Sequence, residues 1–460
     1  MVSARARLVV CSAFVFVGLG GVAEALPVFP GAVGFGSETP AGRGGRIFKI
    51  NNLEDAGPGS LRECAEATVP RVCLFEISGV IRLTKDINID APNLTIAGHT
   101  APSPGIMIRG AGIRITTNNV LVQHLSVRVG DDLKGPNPEN RDAIKIEGGP
   151  SVNNIVIDHV SVSWAIDENI SIWGAGIHDI TISNSIISEG LDESLHPKGA
   201  HSKGLIIGAS AGGPEPTNIS VVGNLFAHNY ERNALMSNGT FANNFVYNWE
   251  WRASTIRGGD ETIEAVSTNV VGNVYKKGFD SNGQLPVIID DVKSGTQIYL
   301  SDNQMKGLDS GSPWSFADVR VSFDVRASSP QAWPSKFDVA ASGNVIDSVL
   351  ANAGSRPADR DVVDVRIIQD VEMGTGAVVD CISTCDATDQ RVPGGWPTLE
   401  SNRRLIEITQ NPSADDDGDG YTNLEEQLHA YYAQVEDYQF KTESVPETVR
   451  PNPPASLTAE

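Results

Sequence analysis

Asn154-Ile-Val-Ile-Asp158-His159 is the stretch whose reading decides the fold. It alternates apolar residues after an amide and closes on an acid. The phrase returns as Asp179-Ile-Thr-Ile-Ser-Asn184, as Asn218-Ile-Ser-Val-Val-Gly-Asn224 and as Asn269-Val-Val-Gly-Asn273. Earlier copies are Asn93-Leu-Thr-Ile-Ala-Gly98 and Asn119-Val-Leu-Val-Gln-His124. Copies fall roughly 20 to 40 residues apart, the spacing of a solenoid. One such strand cannot bury its apolar face alone, whereas stacked copies share a continuous core. Asn side chains at matching turns can bond to the coils above and below as an amide ladder. The expected fold is therefore all-β, a right-handed parallel β-helix. Its long exposed sheet suits an extended polymer such as a polysaccharide.

Composition agrees with a large all-β repeat. The chain has 460 residues, 40% of them apolar, and 46 glycines. A formal charge of −22 argues against nucleic acid as a partner. It also works against an anionic substrate unless local cations invert the field. Residues 1–25 read as a secretory signal peptide. Arg5 and Arg7 precede an apolar run from Leu8 to Val22, and Ala23-Glu24-Ala25 offers a cleavage site. No later segment has the apolar length of a membrane span. A secreted, extracellular chain that acts as a monomer is expected. Of five cysteines, Cys11 leaves with the signal; Cys64 with Cys73, and Cys381 with Cys385, read as two local disulfides.

The β-helix domain is expected over 26–354, with residues 26 to about 110 as a capping region and the clearest coils from about 90 to 350. Two long insertions, Gly130 to Asn140 and Glu189 to Pro216, suit a binding face on one side of the solenoid. An irregular wrap follows over 355–410, an EF-hand-like calcium loop and helix over 411–434, and a disordered tail over 435–460.

The most specific local motif is Asp415-Asp-Asp417-Gly-Asp419-Gly420-Tyr421-Thr-Asn423-Leu-Glu-Glu426. Asp415, Asp417 and Asp419 occupy loop positions one, three and five, with Gly420 at the sharp turn. Tyr421 would give its carbonyl, Asn423 would reach the ion directly or through water, and Glu426 would bind through both oxygens. Ligands that are all oxygen favour Ca2+. The loop lacks a paired EF-hand and is read as structural.

A second constellation lies in the middle coils. Asp142 opens one strand, and Asp167-Glu168 follows one coil later. Stacked parallel strands lie about 4.8 Å apart, so Asp142 and Asp167 could share one calcium ion. Strand alternation would turn Glu168 to the opposite face from Asp167. The next coils add Lys203 just before an apolar strand and Arg232 just after another.

These residues belong to a wider pattern. Phe29-Pro-Gly-Ala32, Gly42-Arg-Gly-Gly45, Gly57-Pro-Gly-Ser-Leu-Arg62, Ile157-Asp-His159, Ser202-Lys-Gly204, Arg232-Asn-Ala234 and Asn243-Asn-Phe-Val-Tyr-Asn-Trp249 stand in that order. Together they resemble the pectate lyase superfamily, specifically polysaccharide lyase family 1, over about residues 28 to 255. Arg360-Asp361-Val-Val-Asp364 and Gly394-Gly-Trp-Pro397 resemble a later part of some members.

The resemblance implies calcium-assisted β-elimination on polygalacturonate, an acidic polysaccharide. Arg232 then matches the base that takes the substrate proton, and Lys203 the lysine that binds the uronate near the cleaved bond. Asp142 and Asp167 match calcium-binding acids. Three positions depart from the family pattern. Ser171 stands where a further acid is usual, Ser237 where a further arginine is usual, and Ala234 where proline is usual. Glu168 could replace the missing acid, but a regular strand would point it to the opposite face.

Three other readings compete. A pectin lyase, or a lyase for another uronate polymer, would share the fold. A glycoside hydrolase would need two carboxyl groups flanking the bond. A carbohydrate-binding solenoid without activity would need neither Lys203 nor Arg232.

Overall fold

A computed structural model describes residues 26–210, 213–258, 264–308, 311–334, 337–384 and 393–436. The expected signal peptide, Cys385 and all but the first two residues of the expected tail lie outside these. Each copy of the phrase becomes one strand, and three strands make one coil. The chain runs through Asn153–Asp158, turns at His159, forms Ser161–Ser163, turns at Trp164 and forms Glu168–Trp173. His178–Ser183, Ile186–Ser188 and Lys203–Gly208 then repeat the path one layer up. The strands all pair in parallel, in sheets of ten, nine and nine strands among the described residues, with one isolated antiparallel bridge between Ile77 and Arg403. The molecule is a right-handed parallel β-helix.

The alternation in the phrase explains the core. Ile155 and Ile157 stack on Val120 and Val122 below and on Ile180 and Ile182 above, and all six are buried. Fully burying one such side chain contributes about 1.5–3 kcal/mol, so each added coil is favourable only when its neighbours are present.

The amides explain the turns. Asn93, Asn119, Asn154, Asp179 and Asn218 all adopt left-handed backbone, with φ between 52° and 62°. Asn and Asp tolerate that conformation better than other residues with side chains. Their side chains also bond along the stack, Asn119 donating to Asn93 over 2.9 Å and Asn218 to Asp179 over 2.9 Å. A second, fully internal ladder links Asn224, Asn244, Asn273 and Asn303 at 3.0, 3.1 and 3.0 Å.

The coils begin and end earlier than the amide pattern suggests. Arg46–Ile50 and Arg71–Phe75 already belong to the ten-stranded sheet, and the last strand is Ala317–Val319. The first coils lack the amide signature because other devices close them. Ser60 caps the short helix Leu61–Ala65 by accepting from Glu63 N, and Cys64 is disulfide-bonded to Cys73. Cys381 is disulfide-bonded as well.

Beyond the coils, the helices Val345–Asn352 and Val362–Met373 lie against the sheet that contains Ser161–Ser163. Two buried ion-pair sets hold the second helix. Arg128 bridges Asp361 and Asp364, and Arg366 pairs with Glu189 at 2.7 Å. Trp396 closes over Trp164 with ring centroids 5.1 Å apart. The last helix, Asn423–Glu436, runs two residues past the expected boundary at 434, and Val435 and Glu436 are buried. No helix of the described residues is long and apolar enough to cross a membrane.

Candidate active site

Register brings the middle-coil residues together. Ile144 pairs with Ile170, which sets Asp142 beneath Glu168. Glu168 pairs with Lys203, and Lys203 bridges to Glu231, the neighbour of Arg232. Four successive coils of the nine-stranded sheet containing Glu168–Trp173 thus deliver Asp142, Asp167/Glu168, Lys203 and Glu231/Arg232 to one edge.

The parity expectation for Glu168 is corrected here. Asp142, Asp167 and Glu168 each offer an oxygen, and the three oxygens lie within 4.8 Å of one another. Alternation fails because two successive residues turn inward where the chain enters the sheet. Ala143 and Ile144 are both in the core. One coil on, Asn169 points inward to bond Ser188 O at 3.0 Å and Asn229 Oδ1 at 3.1 Å, and Ile170 follows it into the core. The slip turns Glu168 outward beside Asp167.

Asp142 is buried, accepts from Ser171 Oγ at 2.5 Å and lies 3.9 Å from Lys145 Nζ. Burial, reinforced by the neighbouring Asp167 charge, pushes its carboxyl up to about 7. Ser171 therefore supports Asp142 where the family pattern would add another acid. Asp167 accepts from His201 Nε2 at 2.8 Å, and the His196 ring stacks on His201 at 3.6 Å. Both histidines come from the second long insertion.

The cations are paired. Lys203 Nζ bonds Glu231 and lies 5.0 Å from the Tyr230 ring centre. Arg232 bonds Glu168 and adopts left-handed backbone, φ 61°. Its main chain is gripped from both sides, Leu205 N donating to Arg232 O at 2.7 Å and Asn233 N to Ala253 O at 2.9 Å. Gly204 permits that approach, since a Cβ there would sit 2.6 Å from Arg232 O. Ser237 is wholly buried and offers no charge in place of the usual arginine.

Glu231, His196, His201 and Tyr230 were not singled out as site residues from the sequence. Glu231 and Tyr230 sit inside the same motif as Arg232, and that adjacency was the available signal. The histidines carry no such mark, because a loop rather than a strand sets their position.

The calcium-loop residues form a separate centre. Asp415, Asp417 and Asp419 place oxygens within 4.8 Å of one another, and all three are exposed. Gly418 N and Gly420 N donate to Asp415 at 2.7 and 2.9 Å, and Tyr421 N donates to Asp419 at 2.8 Å. Burial and then the charges of Asp417, Asp419, Asp415 and Asp416 push the Glu426 carboxyl up. Asn423, expected to reach the ion directly or through water, accepts from Asp416 N at 3.2 Å and donates to the Gln410 and Asn411 carbonyls. Its amide closes the base of the loop.

Both clusters suit a hard cation. Each gathers three carboxylate oxygens, a donor set that favours calcium over softer ions, although His196 and His201 also bring nitrogens within 4.8 Å of the Asp167 oxygen in the coil cluster.

No family model matches the chain. Among curated proteins, it is 31% identical over 424 residues to the probable pectate lyase C of Aspergillus terreus, covering 88% of each chain. It is 31% identical over 415 residues to that of Neosartorya fischeri, covering 86% of each. Among solved structures, the cedar pollen allergen Jun a 1 superposes with a TM-score of 0.50 at 18% identity, over 69% of this chain and 91% of that one. The thermostable pectate lyase PL 47 also gives 0.50, at 13% identity, over 72% and 98%. The solved structures share the fold, the curated relatives align along most of the chain, and the chain belongs to the pectate lyase family.

Proposed function

We propose that this chain is a secreted enzyme that cleaves polygalacturonate by calcium-assisted β-elimination. The observation that carries this reading is the convergence of Asp142, Asp167, Glu168, Lys203 and Arg232 on one sheet edge. Arg232 takes the proton from C5 of the uronate. The C5–H electrons become the C4–C5 double bond, the C4–O bond breaks, and the departing oxygen gains a proton. The products are unsaturated oligogalacturonides.

The C5 proton is weakly acidic beside an ionised carboxylate. Asp142, Asp167 and Glu168 would hold the calcium ion, which, when bound, supplies Lewis-acid polarisation of the substrate carboxylate. Lys203 adds a fixed positive charge where negative charge develops. These cations also reconcile a chain of charge −22 with an acidic polymer.

Glu168 has two roles in this scheme. While it accepts from Arg232, the guanidinium stays charged and cannot act as a base. Were its carboxylate to serve the cluster with Asp142 and Asp167, Arg232 would lose that partner and keep Glu231, 4.0 Å from its Nε. Glu168 would thereby link the cation site to the base.

The test is ultraviolet absorbance of the unsaturated product on polygalacturonate and on methylated pectin, with and without a chelator. Absorbance that grows only with calcium and only on the unmethylated polymer is expected. Growth on methylated pectin without calcium would point to a pectin lyase, and reducing ends without absorbance to a hydrolase.

A further inference from the structure

The last turn of Asn423–Glu436 rests on a column of histidines that the lyase chemistry does not use. His99, His124 and His159 occupy the same turn of three successive coils, and all are buried. The His124 and His159 rings stack 5.1 Å apart at 11°. Tyr432 meets all three rings edge-on.

Two of the rings are held from behind by one backbone segment. His124 Nδ1 lies 2.8 Å from the Ser355 carbonyl, and the His159 ring bonds to the Asn352 backbone. For His124, donating to that carbonyl leaves Nε2 as a lone pair, the usual support of a metal-binding histidine, whereas His159 Nδ1 donates to the Asp158 carboxylate and a metal there would displace that proton. The other two nitrogens converge. His124 Nε2 is 3.0 Å and His159 Nδ1 3.2 Å from the same oxygen of Glu436. Asp158 Oδ2 lies 2.8 Å from that His159 nitrogen, and Tyr432 supports the Glu436 carboxylate.

His124 Nε2 has no hydrogen-bond partner and is fully buried. Its lone pair faces a carboxylate, and two acceptors at that distance repel unless something positive lies between them. We propose that this pocket binds a divalent transition-metal ion of the zinc class, held by His124, His159 and Glu436 with Asp158 beside them. Two imidazole nitrogens beside one carboxylate favour such an ion over calcium. The ion would clamp the end of the C-terminal helix to two coils, while the calcium loop secures its start. The competing occupant is a proton shared by Glu436 and His124. This inference does not rest on the lyase reading.

The full-length protein, exchanged against a calcium-selective chelator, should retain about one zinc per chain by elemental analysis. Cobalt in its place should give the visible absorption of a low-coordinate site. Glu436→Gln or His124→Gln should weaken zinc retention by at least about 10–100-fold. Both variants should keep the wild-type circular dichroism and pectate cleavage. If neither variant folds, zinc added to metal-free wild-type protein should still raise Tm. Wild-type protein that neither retains zinc nor gains Tm from it overturns the proposal in favour of the proton. Glu436→Gln protein that holds zinc as tightly as wild type overturns it as well.

Discussion

The two acidic clusters are built in opposite ways. Asp415, Asp417 and Asp419 lie within five residues of one another, exposed, on a loop whose own amides fix their geometry. Asp142, Asp167 and Glu168 come from two coils, are largely buried, and are set by strand register. A local loop binds its ion wherever it is placed. A cluster set by register has its ion aimed at whatever else the neighbouring coils present, and here those coils present Lys203 and Arg232. On the proposed function, that contrast would place chemistry at the coil cluster and anchorage at the loop.

The strongest way to break the contrast is to remove the base. Arg232→Lys should lower kcat by about 10²–10⁴, with polymer binding largely kept. Asp415→Asn should leave kcat close to wild type. Kinetics on polygalacturonate with a parallel binding isotherm would check both, and near-normal turnover in Arg232→Lys would remove the base assignment.

Glu168→Gln sharpens the contrast further. The calcium concentration for half-maximal rate should rise by about 10–100-fold, because the cluster loses a charge. If Glu168 serves only to restrain Arg232, the calcium requirement will not move.

The loop predicts a stability effect instead. Chelation or Asp415→Asn should lower stability by roughly 2–3 kcal/mol at calcium well above its dissociation constant, read as a fall in Tm. Asp142→Asn should not reproduce that loss, since it removes a buried charge from a cluster already short of cations.

The smallest effect concerns the neighbouring wrap and pH. Burial opposes the Glu189 charge, yet Arg366 overrides it and holds the carboxyl below its ordinary value of 4.5. Stability from a depressed carboxyl is present above its unfolded value and lost as pH falls through the folded one. Hydrogen exchange should therefore show Val362–Met373 loosening as pH falls below 4.5. Arg366→Gln should remove that pH dependence.

The fold was legible because its determinants are repetitive and local. An amide at each left-handed turn and alternation between turns are both visible along one line of sequence. The clustering of Asp415, Asp417 and Asp419 was legible for the same reason. Asp142, Asp167, Lys203 and Arg232 were recognised by resemblance, and the register of Ile144 with Ile170 and of Glu168 with Lys203 shows how they meet. Glu168 was misplaced because two consecutive inward residues, Asn169 and Ile170, break a rule that holds only inside a regular strand. His196 and His201 were missed because an insertion delivers them, and no periodicity reaches into it. The first coils were under-read because Ser60 and the Cys64–Cys73 bridge do there what amides do elsewhere.

The most direct test is the calcium requirement of cleavage and the Tm, measured side by side on Asp142→Asn and Asp415→Asn. The account predicts that Asp142→Asn raises the calcium needed by at least about 10-fold while keeping Tm, and that Asp415→Asn does the reverse. A wild-type calcium requirement in Asp142→Asn, with the shift appearing in Asp415→Asn, would contradict it.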